Sequence, residues 1–151
     1  MSKRELAIEN FKSGYNCAQS VLLAYQKEIG LDKDLLLKMA SPFGAGIAAL
    51  RDVCGAVSGM VMAFGFLYGY NQPNDIKVKT AVYDKARSLV EEFKNVFGSY
   101  VCKDLLVQAE QTIKPHERDA NYYAKRKSCI DCVGLAAEIL EKYINNNPIN
   151  E

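Results

Sequence analysis

The feature that most constrains this chain is the uncharged run from Val53 to Asn74, 22 residues without an Asp, Glu, Lys or Arg. Its centre reads Val53-Cys54-Gly55-Ala56-Val57-Ser58-Gly59-Met60-Val61-Met62-Ala63-Phe64-Gly65-Phe66-Leu67-Tyr68-Gly69-Tyr70. Such a segment must leave water, either in a bilayer or at the centre of a folded core. It approaches the length of a membrane span, and the spacings Gly55/Gly59 and Gly65/Gly69 occur in membrane helices. Four glycines, a serine and a cysteine speak against a span, as does the polarity of the rest of the chain. The run therefore reads as a buried helix, apolar all round, at the centre of a helical bundle. Gly55, Gly59 and Ala63 fall four apart on one stripe, where a neighbouring helix can come close.

Helix signals follow one another through the remainder. Ser2-Lys3-Arg4-Glu5 has capping-box form and opens a short helix through Phe11 that stops near Gly14. Asn16 caps a second helix, with Val21, Leu22 and Tyr25 on its apolar face and Gly30 at its end. Asp32 caps a third, carrying Leu35, Leu36 and Met39 to a stop at Pro42 and Gly44. The central helix is expected to begin at about Ile47 or Asp52. Asn74 or Asp75 starts a long helix to Phe97, with Ile76, Tyr83, Val90, Phe93 and Phe97 facing inward. Gly98 ends it, and Ser99 starts a shorter one through Leu106 or beyond. Gln111 to Tyr122 is polar, contains Pro115 and reads as a loop. The last helix runs from Ser128 to about Asn145 and buries Val133, Ala136, Ala137, Leu140 and Ile144. No strand-like alternation of useful length occurs. The expectation is all-α, a single domain over residues 1–151 with about six to seven helices.

Charge and side-chain counts then narrow the chemistry. Lys and Arg number 19 against 18 Asp and Glu, a net charge of +1, which lacks the basic excess that phosphate neutralisation in nucleic-acid binding requires. The one histidine, His116, excludes a centre built on two or three imidazoles of one chain. It lies in the charged stretch Lys114-Pro115-His116-Glu117-Arg118 and reads as a solvated imidazole. The tyrosines, Tyr68, Tyr70, Tyr122 and Tyr123 among them, read as packing and rim residues. No apolar stretch of signal-peptide type follows the N-terminus, so a cytoplasmic protein is expected. In that compartment five cysteines, an odd number, are thiols, metal ligands or a cycling pair rather than a fixed disulfide framework. As single residues they read equally as small buried hydrophobes.

The placement of these cysteines is more informative than their number. Cys17 follows the cap Asn16, Cys54 comes two residues after Asp52, Cys102 three after Ser99, and Cys129 one after Ser128. All four fall in the first turn of an expected helix, where free backbone N–H groups and the positive end of the macrodipole favour a thiolate. Lys125-Arg126-Lys127 adds three cations before Cys129, which makes Cys129 the expected attacking thiolate, with Cys132 or Cys54 as its resolving partner. Cys129-x-x-Cys132 has a spacing suited to a disulfide or to shared metal ligation, without the βαβ setting of thioredoxin-like motifs. Dispersed cysteines could equally surround a [2Fe–2S] cluster or a zinc ion.

Gly14-Tyr15-Asn16-Cys17-Ala18-Gln19, Cys54-Gly55-Ala56-Val57-Ser58-Gly59, Phe97-Gly98-Ser99 leading to Cys102, and Cys129 with Val133 and Ala136-Ala137 form an ordered set. This set resembles the C_GCAxxG_C_C family of small proteins described as redox-active, over about Phe11 to Tyr143. The resemblance implies four characteristic cysteines, Cys17, Cys54, Cys102 and Cys129, with Cys132 as an addition at a position that is apolar in the family pattern. Gly55, Ala56 and Gly59 keep the helix face beside Cys54 shallow. Phe43-Gly44-Ala45-Gly46 is a second small-residue segment that could border the same site or merely turn the chain. Three readings follow. The cysteines Cys17, Cys54, Cys102, Cys129 and Cys132 carry out thiol–disulfide chemistry with a redox partner; or Cys17, Cys54, Cys102 and Cys129 ligate an iron–sulfur cluster or zinc; or the chain is an interaction module whose cysteines only pack. The glycine-striped helix would serve a homodimer as readily as a core.

Overall fold

The computed structural model describes residues 1–106 and 127–149. The stretch expected to form the polar loop, with His116, Tyr122 and Tyr123, lies outside the described residues, as do Lys125 and Arg126. Within them the chain is all-α. The helices are α1 (Lys3–Lys12), α2 (Cys17–Ala24), α3 (Gln26–Ile29), α4 (Lys33–Ala40), α5 (Gly55–Tyr68), α6 (Ile76–Phe97), α7 (Cys102–Leu105) and α8 (Lys127–Asn146), with a single 3-10 turn at Ser41–Phe43. Among the described residues the expected second helix is divided at Tyr25 into α2 and α3, which makes eight helical segments there.

Several starts are fixed by the caps the sequence announces. The Ser2 and Glu5 side chains form a complete capping box on α1, and Asn16 and Gln19 form one on α2. Asp32 accepts from the Leu35 N–H, and Asp75 from the Val78 N–H. Each such cap satisfies a backbone donor that the helix itself leaves open, a contribution of about 1 kcal/mol.

Helix α5 is the buried centre. Its Gly55, Ala56, Val57, Gly59, Met60, Ala63 and Phe64 are buried, and it packs against α2, α8, α6 and α3. Close approach explains its first glycines: a Cβ on Gly59 would stand 2.6 Å from the Ala18 carbonyl oxygen, inside any tolerable contact. Helix α1 lies on α2 and α8, so the two ends of the chain meet. Tyr25 is fully buried, and its hydroxyl donates to the Ala137 carbonyl at 2.5 Å, tying the end of α2 to α8. No helix among the described residues is long and apolar enough to cross a membrane.

Three expectations need correction. Helix α5 begins at Gly55, not at Ile47 or Asp52, because Ala45, Ile47, Ala48, Ala49 and Arg51 have φ between 50° and 66° and cannot enter a right-handed helix. Ile76 and Tyr83 of α6 are exposed, at 76% and 51%, since only the C-terminal half of that helix, through Leu89 and Phe93, is covered. On α4, Leu36 is buried but Leu35 and Met39 face solvent, because this short helix packs against α2 along one narrow line.

Candidate thiol site

Four backbone starts bring the five cysteines to one place. Cys17 is the first residue of α2, Cys54 the N-cap of α5, Cys102 the first residue of α7, and Cys129 lies in the first turn of α8. Cys132 follows one turn along α8. All five line a single cavity of about 240 Å³, together with Asn16, Gly46, Arg51 and Gly55 among others. Cys54, Cys102 and Cys132 are buried, Cys17 and Cys129 are half-buried, and all five are free thiols.

The segment before α5 builds one wall. Residues 45–51 follow an almost continuous left-handed course, closed by hydrogen bonds from the Ala48 N–H to the Pro42 carbonyl at 2.7 Å and from the Asp52 N–H to the Gly46 carbonyl at 2.9 Å. Left-handed backbone costs about 1–2 kcal/mol at each non-glycine residue. Five such residues within the seven positions 45–51 persist only where the surroundings impose them, a pattern concentrated at functional sites. Here the course brings Gly46 against Cys102: a Cβ on Gly46 would lie 2.7 Å from the Cys102 Cβ, so the space admits only glycine.

From Arg51 the chain straightens and runs antiparallel to Tyr100–Lys103. Val53 and Val101 form an isolated bridge, the Cys54 N–H donates to the Tyr100 carbonyl at 2.8 Å, and the Cys102 N–H donates to the Asp52 carbonyl at 2.6 Å. This short pairing holds Cys54 and Cys102 side by side. On the other flank Gly55 admits Cys17, whose Cβ would stand 2.9 Å from a Cβ at that position. The glycine that follows Cys54 therefore serves the approach of a second cysteine-bearing helix.

The thiols interact in pairs, Cys54 with Cys132 and Cys17 with Cys129. Cys54 is held below its ordinary value, first by the neighbouring Cys132 thiol. Burial opposes this, and the Val57 and Ala56 N–H groups at the start of α5 reinforce it. Cys132 is pushed far up, chiefly by that same interaction with Cys54, then by burial and by the charges of Cys54, Cys129 and Asp131. Cys17 is also raised, by its interaction with Cys129 and by burial. At Cys102 burial raises the thiol, and the guanidinium of Arg51, with Nη1 3.9 Å from its sulfur, lowers it in part. Among the described residues no three His, Cys, Asp or Glu side chains are grouped so as to hold one metal ion.

Residues 15–143 match the family described as "Putative redox-active protein (C_GCAxxG_C_C)". The chain belongs to this family. A relative from Archaeoglobus fulgidus, named "Uncharacterized protein", is 30% identical over 147 residues, spanning 88% of this chain and 87% of its own length. No solved structure matches the chain. In this member of the C_GCAxxG_C_C family every cysteine singled out from sequence reaches the cavity, and Gly44, Ala45 and Gly46 border it. Sequence reasoning missed Arg51 and the left-handed course that carries it. The pair Gly44/Gly46 was the available signal, but the alanines between and after them favour an ordinary helix.

Proposed function

We propose that the protein is a thiol–disulfide redox protein in which Cys54 attacks and Cys132 resolves. The observation that carries this reading is the convergence of five free cysteines on one cavity, where Cys132 adjoins Cys54 and the Val57 and Ala56 N–H groups at the start of α5 favour charge on the Cys54 sulfur. A lowered thiol supplies the nucleophile, and its neighbour stays protonated until needed. The attacking role thus moves from Cys129 to Cys54.

The chemistry balances as a two-electron exchange. The Cys54 thiolate attacks one sulfur of a substrate disulfide; a bond forms between them, the substrate S–S bond breaks, and the departing thiolate takes a proton from solvent. Cys54 is then uncharged, so the main cause that kept Cys132 protonated disappears. Cys132 gives its proton to solvent and attacks the Cys54 sulfur, which releases the second substrate thiolate. Two protein thiols have become one disulfide, and one substrate disulfide has become two thiols. An external dithiol restores the pair by the reverse steps. Cys17 and Cys129 are a second pair on the same cavity, less buried than Cys54 and Cys132, and receive the electrons of that dithiol.

Trapping tests the assignment. Cys132→Ser keeps a hydroxyl donor beside Cys54 but cannot resolve, so treatment with a small disulfide should leave one stable mixed disulfide on Cys54, read by peptide mass mapping. Cys54→Ser should abolish rapid modification. Accumulation of the adduct on Cys129 instead would overturn the assignment. The metal reading, with Cys17, Cys54, Cys102 and Cys129 as ligands, is retained by the opposite result: protein purified without oxygen that carries iron and sulfide, or zinc, and thiols that do not react.

A further inference from the structure

We propose that the cysteine cavity selects small disulfides that carry a negative charge, with Arg51 as the residue that attracts and orients them. This deepens the thiol–disulfide reading and rests on it. Among the described residues Arg51 is the one charged side chain lining the cavity, and no carboxylate lines it. Arg51 forms no ion pair with a described acid; the described ion pairs are Lys3–Glu28, Arg4–Glu138 and Arg87–Asp84. Its partner at hydrogen-bond range is the sulfur of Cys102, at 3.9 Å. A guanidinium has five N–H donors in a planar fork suited to a carboxylate or similar anion, and one weak sulfur acceptor leaves most of that capacity open.

The backbone fixes this cation on the cavity wall, against Cys102 and at the head of the run that leads to Cys54. Arg51 has φ 62°, and its carbonyl accepts from the Lys103 N–H at 3.1 Å, so it begins the straight run that ends at Cys54. An anionic group held at Arg51 therefore leaves the rest of the ligand to lie along the run toward Cys54. The starts of α2, α5 and α8 open on the same cavity and add partial positive charge of the same sign. Pro42, Ala48, Leu105 and Leu106 add apolar wall, beside the uncharged polar side chains of Asn16, Ser41 and Ser128. A space of about 240 Å³ accommodates one half of a small disulfide rather than a folded protein surface.

The test compares two disulfide probes of different charge, dianionic dithionitrobenzoate and neutral dithiodipyridine, by their rates of reaction at Cys54. Wild type should favour the dianion relative to the neutral probe, and high salt should erase that preference. Arg51→Gln should lower the ratio of the two rates about fivefold to tenfold, as expected for loss of one unit charge at close range in a partly exposed site. Arg51→Lys should retain most of it. A circular dichroism spectrum and a thermal midpoint like those of wild type show that the glutamine variant is folded. Should that variant not fold, the lysine variant carries the test, since its rate ratio must fall with salt as in wild type. A ratio that ignores either the substitution or salt overturns the inference while leaving the thiol reading intact. A Cys54 that reacts with neither probe overturns the thiol reading itself.

Discussion

At Cys54 four influences of opposite sign meet: the Cys132 thiol, burial, and the N–H groups of Val57 and Ala56. The donors outweigh burial, so the sulfur keeps its charge to lower pH than an ordinary thiol. Alkylation requires the thiolate, and a lowered pKa therefore extends the reactive range toward acid. The alkylation rate of Cys54 should reach half its plateau below pH 9.0, the ordinary thiol value. Cys132→Ala, which removes the leading donor, should move the profile toward alkaline pH, whereas Cys132→Ser should move it less. A profile for Cys54 that does not shift in the alanine variant would mean that Cys132 does not set its charge. Position on a helix is a local property, which is why the placement of Cys17, Cys54, Cys102 and Cys129 at helix starts is legible from caps and glycines. Which sulfur meets which is not local. Cys132 is close in sequence to Cys129 and invites pairing with it, yet α8 directs Cys132 to Cys54 and Cys129 to Cys17.

On the scale of elements, α5 shows how one sequence signal carries two meanings. Its glycines look equivalent in the uncharged run, but they meet different surroundings. Gly59 lies against the Ala18 backbone of α2, whereas Gly65 has nothing within 4 Å of an added Cβ. Alanine gains about 1 kcal/mol over glycine in a helix interior, and Gly65→Ala should show that gain as a higher denaturant midpoint. At Gly59 the same gain is outweighed by a backbone clash that no side-chain rotation relieves. Gly59→Ala should therefore destabilise by about 1–3 kcal/mol. Equal effects at the two sites would contradict the close packing of α2 on α5. The start of α5 was less legible. Ala45-Gly46-Ile47-Ala48-Ala49 has the composition of a right-handed helix, and the left-handed course it adopts is imposed by tertiary contacts with Cys102 and the Tyr100–Lys103 segment. Propensity cannot report a constraint supplied by residues fifty positions away in the chain.

For the molecule as a whole, the fold acts by bringing distant helix starts to one cavity. The all-α class, the capped helices and the buried glycine-rich centre follow from periodicity and punctuation, and these are strong signals. Convergence depends on α1 and α8 closing the two ends of the chain over α2 and α5. That closure is carried by Tyr25, Phe11, Phe64 and the small residues Ala136 and Ala137, all essentially buried. None of these side chains marks a sulfur site by itself, so the family pattern of dispersed cysteines was the sequence-level hint that they meet.

The central claim is that Cys54 and Cys132 form one reversible two-electron couple. Equilibration of the protein in buffers of graded reduced-to-oxidised dithiol ratio, followed by acid quenching and peptide mass mapping, measures it directly. The account predicts a single transition for the link between Cys54 and Cys132, lost in either single serine variant and unaffected by Cys102→Ser. Five free thiols across the whole range, or a first link that omits Cys54, would contradict it.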